Sequence, residues 1–180
     1  MKLPDTKRKK ALIIVDVQEA FLKEHNCHIV ENIKNLIVDV KYDAYVEAVF
    51  FAEKNSLWEK QQDWYCPKDQ NTKTVSSIND LLKDKNCLSM IKSTRSVFGG
   101  DKDLVSYLKE RNIEEIHLVG TETNDCVLAT AFSAFDLGFA VYLIEECCES
   151  ATPGRHELGL ELVRLQSMTN NSCKADTIDI

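Results

Sequence analysis

Short apolar runs alternate with longer amphipathic stretches along nearly the whole chain, and that alternation constrains the fold more than any other feature. Residues 11–15, 46–51, 88–91, 116–119 and 141–144 are mainly apolar, too short for helices, and suited to strands buried on both faces. Residues 30–40, 75–83, 102–111, 124–137 and 154–168 carry apolar side chains at helical spacing. Such alternation builds a parallel sheet with helices on both sides. The predicted fold class is α/β, a three-layer α-β-α Rossmann-like domain. A short run at 176–180 would bring its mainly parallel sheet to about six strands. At 180 residues the chain suits one domain spanning 1–180. The longest irregular connection, 56–74, carries Trp58, Trp64 and Tyr65, and long loops of this kind tend to form lids or pocket walls.

Charge and cysteine usage narrow the function classes. The chain has 22 Lys and Arg against 29 Asp and Glu, a net charge of −7. Nucleic-acid binding needs a basic face, so no such partner is expected, and the Lys7–Lys10 cluster reads as a solvated leader. No apolar run approaches the roughly 20 residues that span a bilayer. The stretch after Lys10 stops at Asp16, too short for a secretory signal, so a cytoplasmic protein without a membrane partner is expected. Seven cysteines, at 27, 66, 87, 126, 147, 148 and 173, form no Cys-x-x-Cys pair. They read as reduced thiols that mostly pack the core, with Cys126 or the adjacent Cys147 and Cys148 as candidates for a redox sensor.

Parallel sheets bind ligands beyond the carboxyl ends of their strands, where strand order reverses. That rule selects Asp16-Val17-Gln18 after the first run, Lys92-Ser93-Thr94-Arg95 after the third, and Gly120 to Cys126 after the fourth. An acid, an ammonium and a thiol then converge on one edge. Cys126 falls in the first turn of a helix, whose N-terminal dipole favours thiolate over thiol, as would a nearby Lys92. Asp16 could take the thiol proton and later activate water, and backbone N–H groups at Cys126 could hold an oxyanion. These roles describe attack on an amide-like carbonyl and hydrolysis of a thioester.

Three segments then carry a resemblance. Ala11-Leu12-Ile13-Ile14-Val15-Asp16-Val17-Gln18-Glu19-Ala20-Phe21 resembles the opening signature of the isochorismatase-like cysteine hydrolases. Lys92-Ser93-Thr94-Arg95-Ser96-Val97-Phe98-Gly99-Gly100 resembles their lysine segment, and Val119 through Cys126 to Ala131 their nucleophile segment. The likeness continues through Phe135-Asp136-Leu137-Gly138 to Ser150 and His156-Glu157. It implies a catalytic triad of Asp16, Lys92 and Cys126, and a cis peptide between Thr121 and Glu122. It also implies an oxyanion hole from the backbone amides of Glu122 and Cys126. Members that cleave the isochorismate vinyl ether lack the nucleophilic cysteine, so amide or ureido C–N hydrolysis of a small molecule is the expected activity. Gln18, Phe21, Trp64, Tyr65 and Arg95 are expected around the substrate, Arg95 as a carboxylate clamp. The family's habit also implies a homo-oligomer, dimer or tetramer.

Two departures bear on substrate. Nicotinamidases of this family carry an Asp-x-His pair after the second strand and a further His, which bind a metal. Here the matching stretch reads Phe51-Ala52-Glu53-Lys54-Asn55. No catalytic metal and no cofactor are expected, and a nicotinamide substrate is disfavoured. His25 and His28, three residues apart, suit either a metal on one helix face or a surface position. His117 reads as a core residue and His156 as surface or interface. The second departure is Glu122, whose carboxylate could meet a cationic substrate group or solvent. A non-catalytic oligomeric binding member of the same fold is the alternative to the enzyme.

Overall fold

In the computed structural model, which describes residues 3, 4, 6–69 and 72–171, the first strand, β1 (Lys10–Val15), runs through the middle of the sheet. Its composition puts it there. Ala11, Ile13 and Val15 enter one core cluster, Leu12 and Ile14 the other, and all five are fully buried. Successive strand side chains point to opposite faces, so an unbroken apolar run needs a helical layer on each. Each of the Leu, Ile and Val side chains fully withdrawn from water contributes about 1.5–3 kcal/mol.

The neighbours of β1 are β2 (Ala44–Phe50) and β4 (Glu115–Thr121), with β3 (Cys87–Lys92) and β5 (Ala140–Glu149) outside them. The order is β3-β2-β1-β4-β5, parallel throughout. The fold is thus the expected α/β type with five strands among the described residues; the run at 176–180 lies outside them. Helices α1 (His28–Asp39) and α3 (Ser76–Leu82) cover the Leu12 face through Ile29, Ile33 and Ile78. On the other face lie α4 (Leu104–Glu110), α5 (Leu128–Asp136) and α6 (Pro153–Leu165), packing Leu108, Ala134 and Val163.

Three local features depart from the sequence pattern. A short helix, α2 (Leu57–Gln62), interrupts the 56–74 connection, and it buries none of its residues. Six residues without a buried face leave no helical period to read. Strand β5 continues to Glu149 although its apolar run stops at 144, because Cys147 and Cys148 extend it with one thiol in each core cluster. Burial pushes the Cys147 thiol up to about 12 and that of Cys148 well above its ordinary value. Facing opposite sides of the sheet and held as thiols, this pair is poorly suited to the redox role. Finally, the segment after β4 begins as a single π-helical turn, Thr123–Val127, before α5 continues in ordinary geometry.

The chain leaves β1 toward β2 and β3, then crosses back to β4 on the other side of β1, so strand order reverses between β1 and β4. The two strands approach closely there. Gly120 has φ +122°, and a Cβ on it would stand 2.0 Å from the carbonyl oxygen of Val15. Only glycine fits.

Candidate active site

Asp16 follows β1 directly and lies 2% exposed in the reversal crevice, its N–H donating to Ala48 O at 2.9 Å. Lys92 ends β3, two strands away, and its side chain crosses the end of β2 to reach the same point. Its Nζ donates to Asp16 Oδ2 at 2.6 Å and to Thr94 O at 3.1 Å. The ammonium also lies 4.9 Å from the Phe50 ring centroid, on the face that attracts cations. Cys126 stands in the π turn, 8% exposed, and lines the same cleft end as Asp16, close enough for the carboxylate charge to act on its thiol. Asp16 Oδ1 is buried with no partner at ordinary hydrogen-bond length. The fold therefore brings Asp16, Lys92 and Cys126 together, and the Thr121–Glu122 peptide beside them is cis.

The electrostatics correct one expectation. Burial, reinforced by the Asp16 charge, pushes the Cys126 thiol well above its ordinary pKa, outweighing Lys92. Cys126 rests as a thiol rather than a thiolate. Burial likewise raises Asp16 above the usual carboxylate range, against the opposing pull of Lys92.

Packing holds the π turn in place. Thr123 Oγ1 lies 2.9 Å from His156 Nδ1, and Ser150 Oγ donates to Asn124 Oδ1 at 2.8 Å. His156 is thus a brace between α6 and this turn rather than a surface residue; its Nε2 lies 3.4 Å from Glu149. Gly159 of α6 packs so closely that a Cβ would stand 2.8 Å from Asn124 Cα. Gly159→Ala is expected to push the turn away from α6 and lower kcat by about tenfold or more, since displacements near 1 Å cost that much in a positioned site. An unchanged kcat would show that the turn's position is immaterial.

These groups form one end of a cleft of about 500 Å³. Its aromatic wall consists of Phe21, Phe50, Trp58 and Trp64. The Phe50 and Trp64 rings stack at 5.7 Å, and Trp58 meets Phe50 edge-on at 5.0 Å. Among the residues expected around the substrate, Phe21 and Trp64 line this cleft, and Gln18, Tyr65 and Arg95 do not. Gln18 is fully buried and grips the Phe50 backbone in both directions, at 2.6 and 3.0 Å, so it sets the wall from behind. Tyr65 is 41% exposed beside Trp64. Arg95 is engaged elsewhere, with Nε on Asp125 Oδ1 at 2.5 Å and its guanidinium 4.5 Å from the Trp58 ring centroid. It links the wall to the nucleophile turn instead of clamping a ligand. Glu122 lines the cleft, and its Oε2 accepts the Ala151 N–H at 2.9 Å. Trp58 walls the cleft as the 56–74 connection led one to expect, whereas Phe50 is not marked by the sequence, because a strand end gives no sign of which side it faces.

No three His, Cys, Asp or Glu side chains gather into a metal-sized set among the described residues. His25 Nε2 lies 3.0 Å from Ser150 O, and His28 Nδ1 lies 3.2 Å from His25 O, so they do not share a ligand position. In the matching stretch, Ala52 is buried and paired through its backbone with Cys66, while Glu53 is exposed. His117 is a core residue, bonded to Tyr42 Oη at 2.9 Å and Glu115 Oε1 at 2.8 Å. The donor set does not fit a metal centre of the nicotinamidase kind.

Comparison with known proteins agrees with this architecture. The isochorismatase domain model matches residues 10–175. Isochorismatase family protein 2A of Dictyostelium discoideum is 27% identical over 164 residues, covering 86% of this chain and 73% of that protein. The crystal structure of the nicotinamidase PncA from Bacillus subtilis superposes with a TM-score of 0.71 at 27% identity, covering 87% of this chain and 94% of that one. The pyrazinamidase of Pyrococcus horikoshii, solved in complex with zinc, gives a TM-score of 0.75 at 22% identity, with 89% and 97% covered.

Proposed function

Because the chain belongs to the isochorismatase domain family, we propose that it is a cysteine hydrolase of a small-molecule C–N bond, amide or ureido. Cys126 is the nucleophile, Asp16 the general base and Lys92 the ammonium that holds Asp16 in place. The observation that carries this reading is the 2.6 Å contact between Lys92 Nζ and Asp16 Oδ2, with Cys126 lining the same end of the cleft.

The chemistry follows from the protonation states. A resting thiol beside a carboxylate of raised pKa hands over its proton only as sulfur attacks the substrate carbonyl. The developing oxyanion is held by the backbone N–H groups of Glu122 and Cys126. Asp16, now protonated, gives its proton to the leaving nitrogen as the C–N bond breaks, and a thioester remains on Cys126. Water then attacks the thioester, losing a proton to Asp16, which returns it to the sulfur as the acid product leaves. The sum is one amide and one water converted to an acid and ammonia or an amine. The chain's own residues supply every step, and none is routed through a metal.

Two measurements check this. A panel of small amides and ureides, read by ammonia release, is expected to include substrates whose turnover survives exhaustive chelation; complete loss with chelator would contradict the donor set described above. In the pH profile, kcat/KM needs Asp16 ionised, so it rises with pH through a limb displaced above the ordinary carboxylate value of 3.8. The thiol lies far too high to impose an alkaline decline. An acid limb at or below 3.8, or activity that needs a thiolate and climbs through pH 9, would contradict the assigned roles.

A further inference from the structure

Four charged side chains besides Asp16 line the cleft: Lys23, Glu122, Asp125 and Arg155. Their partners separate them. Asp125 is neutralised by Arg95 at 2.5 Å, as Asp16 is by Lys92. Glu122 spends Oε2 on the Ala151 N–H. Lys23 and Arg155 have no carboxylate within ion-pair distance among the described residues. Both are exposed, which puts them at the mouth, while Asp16 and Cys126 are buried at the inner end. The mouth thus holds two unpaired cations against one carboxylate, on a chain whose net charge is −7.

Resting on the hydrolase reading above, we propose that this mouth is an anion subsite. The substrate is then a small amide or ureide bearing a carboxylate at the end remote from the scissile bond. Against an acidic surface, a locally positive, half-enclosed cleft draws anions inward and orients them by the charged end. Arg155 offers the fork of donors that matches a carboxylate, and Lys23 adds a point charge. The charged end held at the mouth directs the uncharged amide past the aromatic wall to Cys126. The carboxylate role that the sequence suggested for Arg95 passes to Arg155 and Lys23, because Arg95 is consumed by Asp125.

The test compares ω-amidic acids of four to six carbons with their methyl esters, which keep the amide and the chain length but lose the charge. The enzyme is expected to prefer each acid in kcat/KM. Arg155→Gln and Lys23→Gln should each reduce that preference by about tenfold, chiefly through KM. Arg155→Lys should retain most of it, and Lys109→Gln, on the distant α4, should leave it unchanged. A second readout needs no substrate: the ratio of Cys126 alkylation rates by iodoacetate and iodoacetamide, followed by mass spectrometry. That ratio should fall at least about fivefold in the Lys23→Gln/Arg155→Gln double variant. Acid and ester used equally well, or an alkylation ratio indifferent to both substitutions, would overturn the anion subsite. Ammonia release that persists in Cys126→Ala would instead overturn the hydrolase reading, leaving the measured charge preference intact.

Discussion

Cys126→Ala is expected to lower kcat/KM for amide hydrolysis by at least about a thousandfold, with the fold retained. The side chain is small, and its loss removes the sulfur without unpairing Asp16 from Lys92. Far-ultraviolet circular dichroism and a denaturation midpoint close to the parent's would show that the fold persists while ammonia release disappears. Cys126→Ser should be nearly as inactive, because a hydroxyl buried beside Asp16 is a weaker nucleophile. A residual rate within tenfold of the parent would remove Cys126 from the chemistry.

The second large effect concerns the buried ion pair. Lys92→Met replaces a fully buried ammonium by a side chain of similar length and leaves Asp16 without its partner. Breaking a buried pair from one side costs about 3–5 kcal/mol. Asp16 limits the loss by taking up a proton, so the cost depends on pH. The sign follows from the raised pKa: above 3.8 the unfolded chain has released a proton that the folded chain still holds. Stability of this variant should therefore fall as pH rises, by up to about 1.4 kcal/mol per unit within that window. Asp16→Asn/Lys92→Met removes both charges and should recover most of the stability, yet none of the activity. Denaturant unfolding of the two single variants, the double variant and the parent at several pH values measures this coupling. Additive effects would mean that the 2.6 Å contact carries no energy.

Much of this architecture was legible in the sequence because burial on two faces leaves a plain mark. The run at 11–15 is apolar at successive positions, and 116–119 is broken only by His117, a pattern that a central strand between two helical layers requires. Asp16, Lys92 and Cys126 each sit at or just beyond such a run, so one rule about strand ends was enough to group them. What the sequence hid depends on partners distant along the chain. Arg95 as a ligand clamp and Arg95 as the partner of Asp125 are indistinguishable until both neighbours are placed. Gln18 looks like a pocket residue from its place after β1, yet its amide is spent on the Phe50 backbone. The protonation of Cys126 is hidden for the same reason. A helix start and a nearby lysine both favour thiolate, and only the enclosed surroundings reveal that desolvation prevails. Helix α2 and the π turn carry no distinct period, being six and five residues long.

These groups have a single chemical consequence that can be weighed. An enzyme sample mixed with a turned-over amide, quenched in acid during the steady state and examined by intact-protein and peptide mass spectrometry, should carry the acyl group of that substrate on Cys126. The adduct should vanish as substrate is exhausted and should never form in Asp16→Asn. Sustained turnover with every cysteine unmodified, or an acyl group found on a different cysteine, would contradict the covalent route through Cys126.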